Sequence, residues 1–124
     1  DLWGPPHLDD MFMEMQKIFP DREIVQLDTS HEIFHMFFDI DELAQVPGRM
    51  VTWDFGGFMN IDDPKYPPEV YAVLDDDGRV MMVANYNTDL GDGWEDPEVH
   101  NDSDEIRLKA LQMGSNILEY VFKN

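Results

Sequence analysis

The sequence predicts one α/β domain spanning residues 1–124, and three stretches carry that prediction. Residues 8–19, "LDDMFMEMQKIF", repeat apolar side chains at helical spacing. Residues 69–87, "EVYAVLDDDGRVMMVANYN", hold two β-rich runs around a tight turn. The final stretch returns to a helical period from about Asp104 to Phe122. Helix and strand periods therefore mix along a chain of single-domain length.

Taken in order, Leu8, Met11, Phe12, Met15, Ile18 and Phe19 fall on one stripe of the first helix. Pro5 and Pro6 stand just ahead of it, where helices begin, and Pro20 stops it. Asp9 and Asp10 suit the positive end of its dipole. Residues 22–28, "REIVQLD", predict a short strand. Thr29 followed by Glu32 fits a capping box, which predicts a short helix over 30–38. Pro47 and Gly48 mark a turn in "VPGRM", and residues 54–68 carry the glycines and prolines of a loop with at most one short strand. Val70 to Leu74 and Arg79 to Asn85 predict a hairpin closed by "DDDG". A long polar loop follows over 87–105. In the last helix Ile106, Ala110, Met113, Ile117 and Val121 form one stripe, and Leu108, Leu111, Leu118 and Phe122 widen it. A stripe this wide predicts burial on more than one side.

Composition removes several function classes. Hydrophobic residues at 43% and aromatic residues at 12% are enough for a packed core, so disorder is not expected despite the charge. A net charge of -19 opposes binding to phosphate backbones, so no nucleic-acid partner is expected. No apolar run has the length of a membrane span. With no cysteine there is no disulfide, thiolate metal site or cysteine nucleophile. The chain starts at Asp1 without an initiator Met, the start expected of a processed or excised product that has lost a targeting segment.

Three motifs carry candidate chemistry. "HEIFH" places His31 and His35 at the spacing that lets two imidazoles on one helical face hold Zn²⁺, with Glu32 as the base for a metal-bound water. A third ligand is needed, and Asp41 stands where the extended pattern has histidine. His100 and several carboxylates remain, none at a diagnostic spacing. The structural alternative is that Ile33, Phe34, Phe37 and Phe38 anchor an apolar segment while the histidines bond locally, and this is favoured. In "NYNTDLGDGWED", Asn85, Asn87 and Asp89 match the first three ligands of a calcium loop and Asp96 the twelfth. Leu90 occupies the glycine position, so a standard EF-hand is not expected. Asp89, Asp92, Glu95 and Asp96 remain hard oxygen donors, against a glycine-rich loop whose Asn and Asp side chains cap backbone groups. "DLWG" offers Asp1 and Trp3. His31 follows one predicted strand and Asn85 ends another, so a parallel arrangement would gather these clusters at one sheet edge.

"DLWG", "IFPDREIVQLDTSHEIFHMFFDI" and "DDDGRVMMVANYNTDLGDGWE" together resemble the bacterial domain-of-unknown-function family 4159. The resemblance implies a layered fold of the flavodoxin-like, class I glutamine amidotransferase-like type, with this chain as its C-terminal portion and the sheet incomplete without an upstream segment. Self-association is the alternative way to complete it. The resemblance also implies a bacterial protein, and it brings no established activity. In that family the position of Glu32 is usually proline, so the catalytic base of a zinc protease is not implied. "DFGGFMNIDDPKYPPE" is longer and richer in proline than the family pattern. Amidotransferases of this fold use a cysteine, which this chain lacks.

The leading expectation is a non-catalytic module binding a small organic ligand, such as a carbohydrate. Its site is expected from Asp1, Trp3, His31, His35, Asn85, Asn87, Asp89, Asp92, Trp94 and Glu95. Trp3 and Trp94 would stack on a flat ring. Two alternatives stand beside it. One is a hydrolase dependent on a divalent metal held by His31, His35 and Asp89 or Asp92. The other is an acidic interaction module for a basic partner.

Overall fold

The computed structural model describes residues 4–47 and 67–123. Asp1 and Trp3, most of the "VPGRM" turn and the loop predicted over 54–66 lie outside the described residues.

Helix α1 spans Gly4–Ile18. It starts earlier than the apolar stripe predicts because a proline in a first helical turn sacrifices no hydrogen bond. Asp9 and Asp10 consequently fall beyond the first turn, which holds no acidic residue. Strand β1 is Ile24–Leu27, β2 is Glu69–Leu74 and β3 is Val80–Tyr86. The hairpin forms as predicted. Gly78 takes a φ of +82°, and the Asp75 carboxylate accepts from the amides of Asp77 and Arg79, at 3.0 and 2.8 Å.

The sheet order is β1-β2-β3, with both pairings antiparallel. The described sheet is thus built by hairpin-type pairing, unlike the parallel sheet of a doubly wound fold. Two antiparallel steps leave β1 and β3 running the same way. Leu27 and Asn85 both pair with Val70, so the carboxyl ends of β1 and β3 share one end of the sheet.

Alternation gives the sheet two apolar faces. Val25, Leu27, Val70, Ala72 and Val83 join the main core with Ile33, Phe34, Leu90, Ala110, Met113 and Tyr120. On the other face Phe12 of α1 meets Tyr71 edge-on at 4.9 Å, and Met15 and Val73 are fully buried. Helices therefore cover both sides of a mixed α/β layer structure.

The polar stretch after β3 is more ordered than its composition predicts. It forms α2 (Leu90–Trp94) and α3 (Pro97–His100) before the long helix α4 (Asp104–Lys123). Capping explains both short helices. Asp89 accepts from the Asp92 amide at 3.2 Å, and Pro97 opens α3, which Asn101 closes in the left-handed conformation at φ 58°. Helix α4 is buried on one side only, by Ala110, Met113, Asn116 and Tyr120. The expectation of burial on several sides fails because Leu108, Leu111, Leu118, Val121 and Phe122 face outward.

Candidate metal centre

The "HEIFH" segment folds as a 3-10 helix over Glu32–His35, not as an α-helix over 30–38. The capping box does not form. His31 takes the cap position itself, and its Nδ1 accepts from the Ile33 amide at 3.2 Å. Helix type decides the fate of the motif. Residues i and i+4 share a face, about 40° apart, only when both lie in an α-helix, and here His31 stands outside the short helix with extended backbone at φ -66° and ψ 141°. The 3-10 turn is held because Ile33 and Phe34 plunge into the core, at 1% and 0% exposure. Asn116 of α4 clamps the exit, accepting from the amides of Phe37 and Phe38 at 3.0 and 2.9 Å and donating to the Phe38 carbonyl at 2.8 Å.

His35 is consumed by its own loop. Nδ1 meets Asp39 Oδ1 at 3.1 Å and Nε2 meets the Thr29 carbonyl at 2.7 Å. Both partners are acceptors, so the ring serves them best with a proton on each nitrogen. Its pKa is raised accordingly, first by the Asp39 carboxylate and then by the Thr29 carbonyl. A metal ligand needs the neutral ring and a lone pair. Just ahead, Asp28 is held below the usual carboxylate range by the hydroxyl and amide of Ser30.

The residues after β3 behave differently. Asn85 lies in β3 and lines a shallow niche with Ile40, Leu43, Val70 and Met113. Asn87 is 2% exposed, carries φ 55°, and reaches the Pro67 carbonyl at 3.5 Å, while its own carbonyl accepts from Gln45 at 3.1 Å. Thr88 accepts from the Val46 amide at 2.8 Å and the Asp89 amide returns to the Val46 carbonyl at 2.9 Å. These bonds dock the segment on Gln45 and Val46. Asn85, Asn87 and Asp89 thereby serve as strand, loop and cap residues.

That docking brings together Asp92, Glu95 and His100. His100 Nε2 lies 3.3 Å from Asp92 Oδ1 and 3.3 Å from Glu95 Oε2. One ligand atom from each of the three residues falls within 4.8 Å of the others, the one such group among the described residues. Both contacts have ion-pair length but lack hydrogen-bond alignment, and the two buried ring nitrogens of His100 have no hydrogen-bond partner among the described residues. The His100 and Asp92 side chains are 14% and 17% exposed, and Glu95 is 52% exposed. Asp102 adjoins them. Burial raises its pKa, Asp92 and Asp89 raise it further, and His100 and Arg107 oppose the rise.

The surrounding bonds hold this geometry. Gly93 packs where a Cβ would stand 2.5 Å from the Ala110 Cβ, so only glycine lets α2 lie this close to α4. Trp94 donates to the Ala110 carbonyl at 2.8 Å and its ring covers Gly114. Arg107 donates twice to the Glu95 carbonyl, at 2.8 and 3.2 Å. Of the residues expected at a site, Asp92, Trp94 and Glu95 are brought together, Asp89 caps the same turn, and His31 and His35 sit in the separate 3-10 segment. His100 is the residue that spacing alone did not select. Its signal is a Pro-initiated turn ending in Asn101, which folds His100 back toward Asp92.

Residues 2–122 match the family described as "Domain of unknown function (DUF4159)". No curated protein and no solved structure gives a significant match.

Proposed function

This chain belongs to the DUF4159 family, and from that premise we propose that it is a ligand-binding α/β module built around a divalent transition-metal ion, held by Asp92, Glu95 and His100. The observation that carries this reading is the pair of 3.3 Å separations centred on His100 Nε2. Donor atoms about 2.0–2.1 Å from a tetrahedral Zn²⁺ lie about 3.3 Å from one another, so the present spacing matches one edge of such a polyhedron. One imidazole with two carboxylates suits Zn²⁺ or Mn²⁺ better than Ca²⁺. Three protein donors leave coordination positions open to water or to a hydroxyl or carboxylate of an organic ligand, and a sugar is one class that fits. The half-exposed Trp94, next in sequence to Glu95, supports that class. An ion bound there supplies Lewis acidity, while Arg107 orients Glu95 through its carbonyl and Asp89 fixes the α2 turn. The flavodoxin-related layering belongs to the same proposal. It requires strands from outside the described residues, added beside β1 or β3.

The test is isothermal titration of the chelator-stripped chain with Zn²⁺ and with Mn²⁺. One ion per chain is expected, with binding abolished by His100→Ala and weakened by Asp92→Asn and Glu95→Gln. No binding by the folded chain at millimolar ion would end the metal reading.

A further inference from the structure

Helix α4 carries a second apolar stripe on the side away from the core. Leu108, Leu111, Ser115, Leu118 and Phe122 follow the alternating three- and four-residue spacing of a coiled-coil seam. The four apolar members are between 42% and 83% exposed. The residues that bury α4 in its own domain, Ala110, Met113, Asn116 and Tyr120, lie on the opposite side. Ser115 does not interrupt the seam electrostatically, because its hydroxyl donates back to the Leu111 carbonyl at 2.8 Å. An outward stripe of this length in one helix is more than scattered surface hydrophobics.

Charge decides what covers it. Within Asp104–Lys123 there are three acidic residues (Asp104, Glu105, Glu119) and three basic ones (Arg107, Lys109, Lys123). The other residues then hold 24 of the 27 acidic and 5 of the 8 basic side chains, and so the whole net charge of -19. The seam therefore lies on a neutral helix of a strongly acidic chain. A basic partner would find no excess negative charge along it, whereas the same surface of a second copy meets it without local repulsion. An antiparallel pairing with Leu111 against the second copy's Phe122, and Ser115 against its Leu118, buries Leu111, Ser115, Leu118 and Phe122 of both chains. It also places Gln112 beside Glu119, so like charges do not face each other.

We propose that the outward seam of α4 is a self-association surface, through which two copies pair as a symmetric homodimer. This is independent of the metal reading. One helix pair is a small interface, so association belongs in the micromolar range. Salt distinguishes the partners. Screening relieves repulsion between two acidic chains, so dimerisation strengthens between low salt and about 0.5 M NaCl, whereas docking of a basic partner weakens.

The experiment is sedimentation equilibrium of the full chain across micromolar to millimolar concentration at both salt levels. A dimer that tightens with salt is expected. Leu118→Glu, and separately Ser115→Glu at a position already polar and exposed, should each weaken it by about a hundredfold with the circular dichroism spectrum unchanged. A single-chain mass throughout overturns the proposal. So does a dimer that survives in either folded variant, or one that dissociates as salt rises.

Discussion

Residues 29–40 and residues 86–103 present opposite relations between motif and site. The first region carries a spacing with a famous meaning, without the α-helix that gives that spacing its geometry. His31 stands outside the 3-10 turn that carries His35, and backbone and carboxylate acceptors engage His35. The second region carries only a calcium-loop spacing broken at Leu90, yet capping by Asp89, the α3 turn and the packing of Gly93 draw Asp92, Glu95 and His100 together. A ligand motif has meaning only on the helix type that gave it its geometry. Burial of Ile33 and Phe34 decided the helix type here.

The comparison can be broken at its supports. Asn116→Ala should have the largest effect. It removes the side chain bonded to three backbone groups of the 37–38 turn, and unsatisfied buried groups cost about 1–3 kcal/mol each before relaxation. A loss of about 3–4 kcal/mol is expected in urea unfolding, since part of the turn regains water. Gly93→Ala comes next. Its Cβ would require α2 to lift from α4, so about 2–3 kcal/mol is expected, together with loss of metal affinity because α2 carries Asp92. Unchanged stability in Gly93→Ala would mean that α2 is not seated on α4 as described.

Two titrations sharpen the contrast with smaller effects. Asp102 has a raised folded pKa, so its favourable contribution is complete below the unfolded carboxyl value of 3.8 and is lost as pH rises through the folded value. Asp102→Asn should therefore raise the melting temperature at neutral pH in chelator, with the gain vanishing in acid. His35 also has a raised pKa. Its stabilising contribution is present below the unfolded value of 6.5 and is lost as pH rises through the folded one. In Asp39→Asn the His35 titration followed by NMR should move back toward 6.5, because its largest support is gone.

Much of the fold was legible because it follows local periods and turn chemistry. The stripe of α1, the Asp75–Gly78 hairpin and the extent of α4 were all readable from residue spacing. The parts that were not legible depend on distant partners. Nothing local in "EIFH" says that Asn116, far along the chain, will pin a 3-10 turn beside it. The two sides of α4 could not be told apart either, since apolar spacing marks a stripe without saying whether its own chain covers it. Asp92 and Glu95 were readable as oxygen donors in a glycine-rich loop. His100 was not, because only the left-handed Asn101 and the short α3 turn return it to them.

The most direct measurement is the zinc-induced shift in melting temperature of the chelator-stripped chain, beside His100→Ala, His31→Ala and His35→Ala. Zn²⁺ at about a hundredfold over its dissociation constant should stabilise by about 2.7 kcal/mol, a shift of several degrees for a domain of this size. The account predicts that shift in the parent, in His31→Ala and in His35→Ala, and none in His100→Ala. A shift that survives in His100→Ala and disappears in His31→Ala would contradict it and return the metal to the "HEIFH" motif.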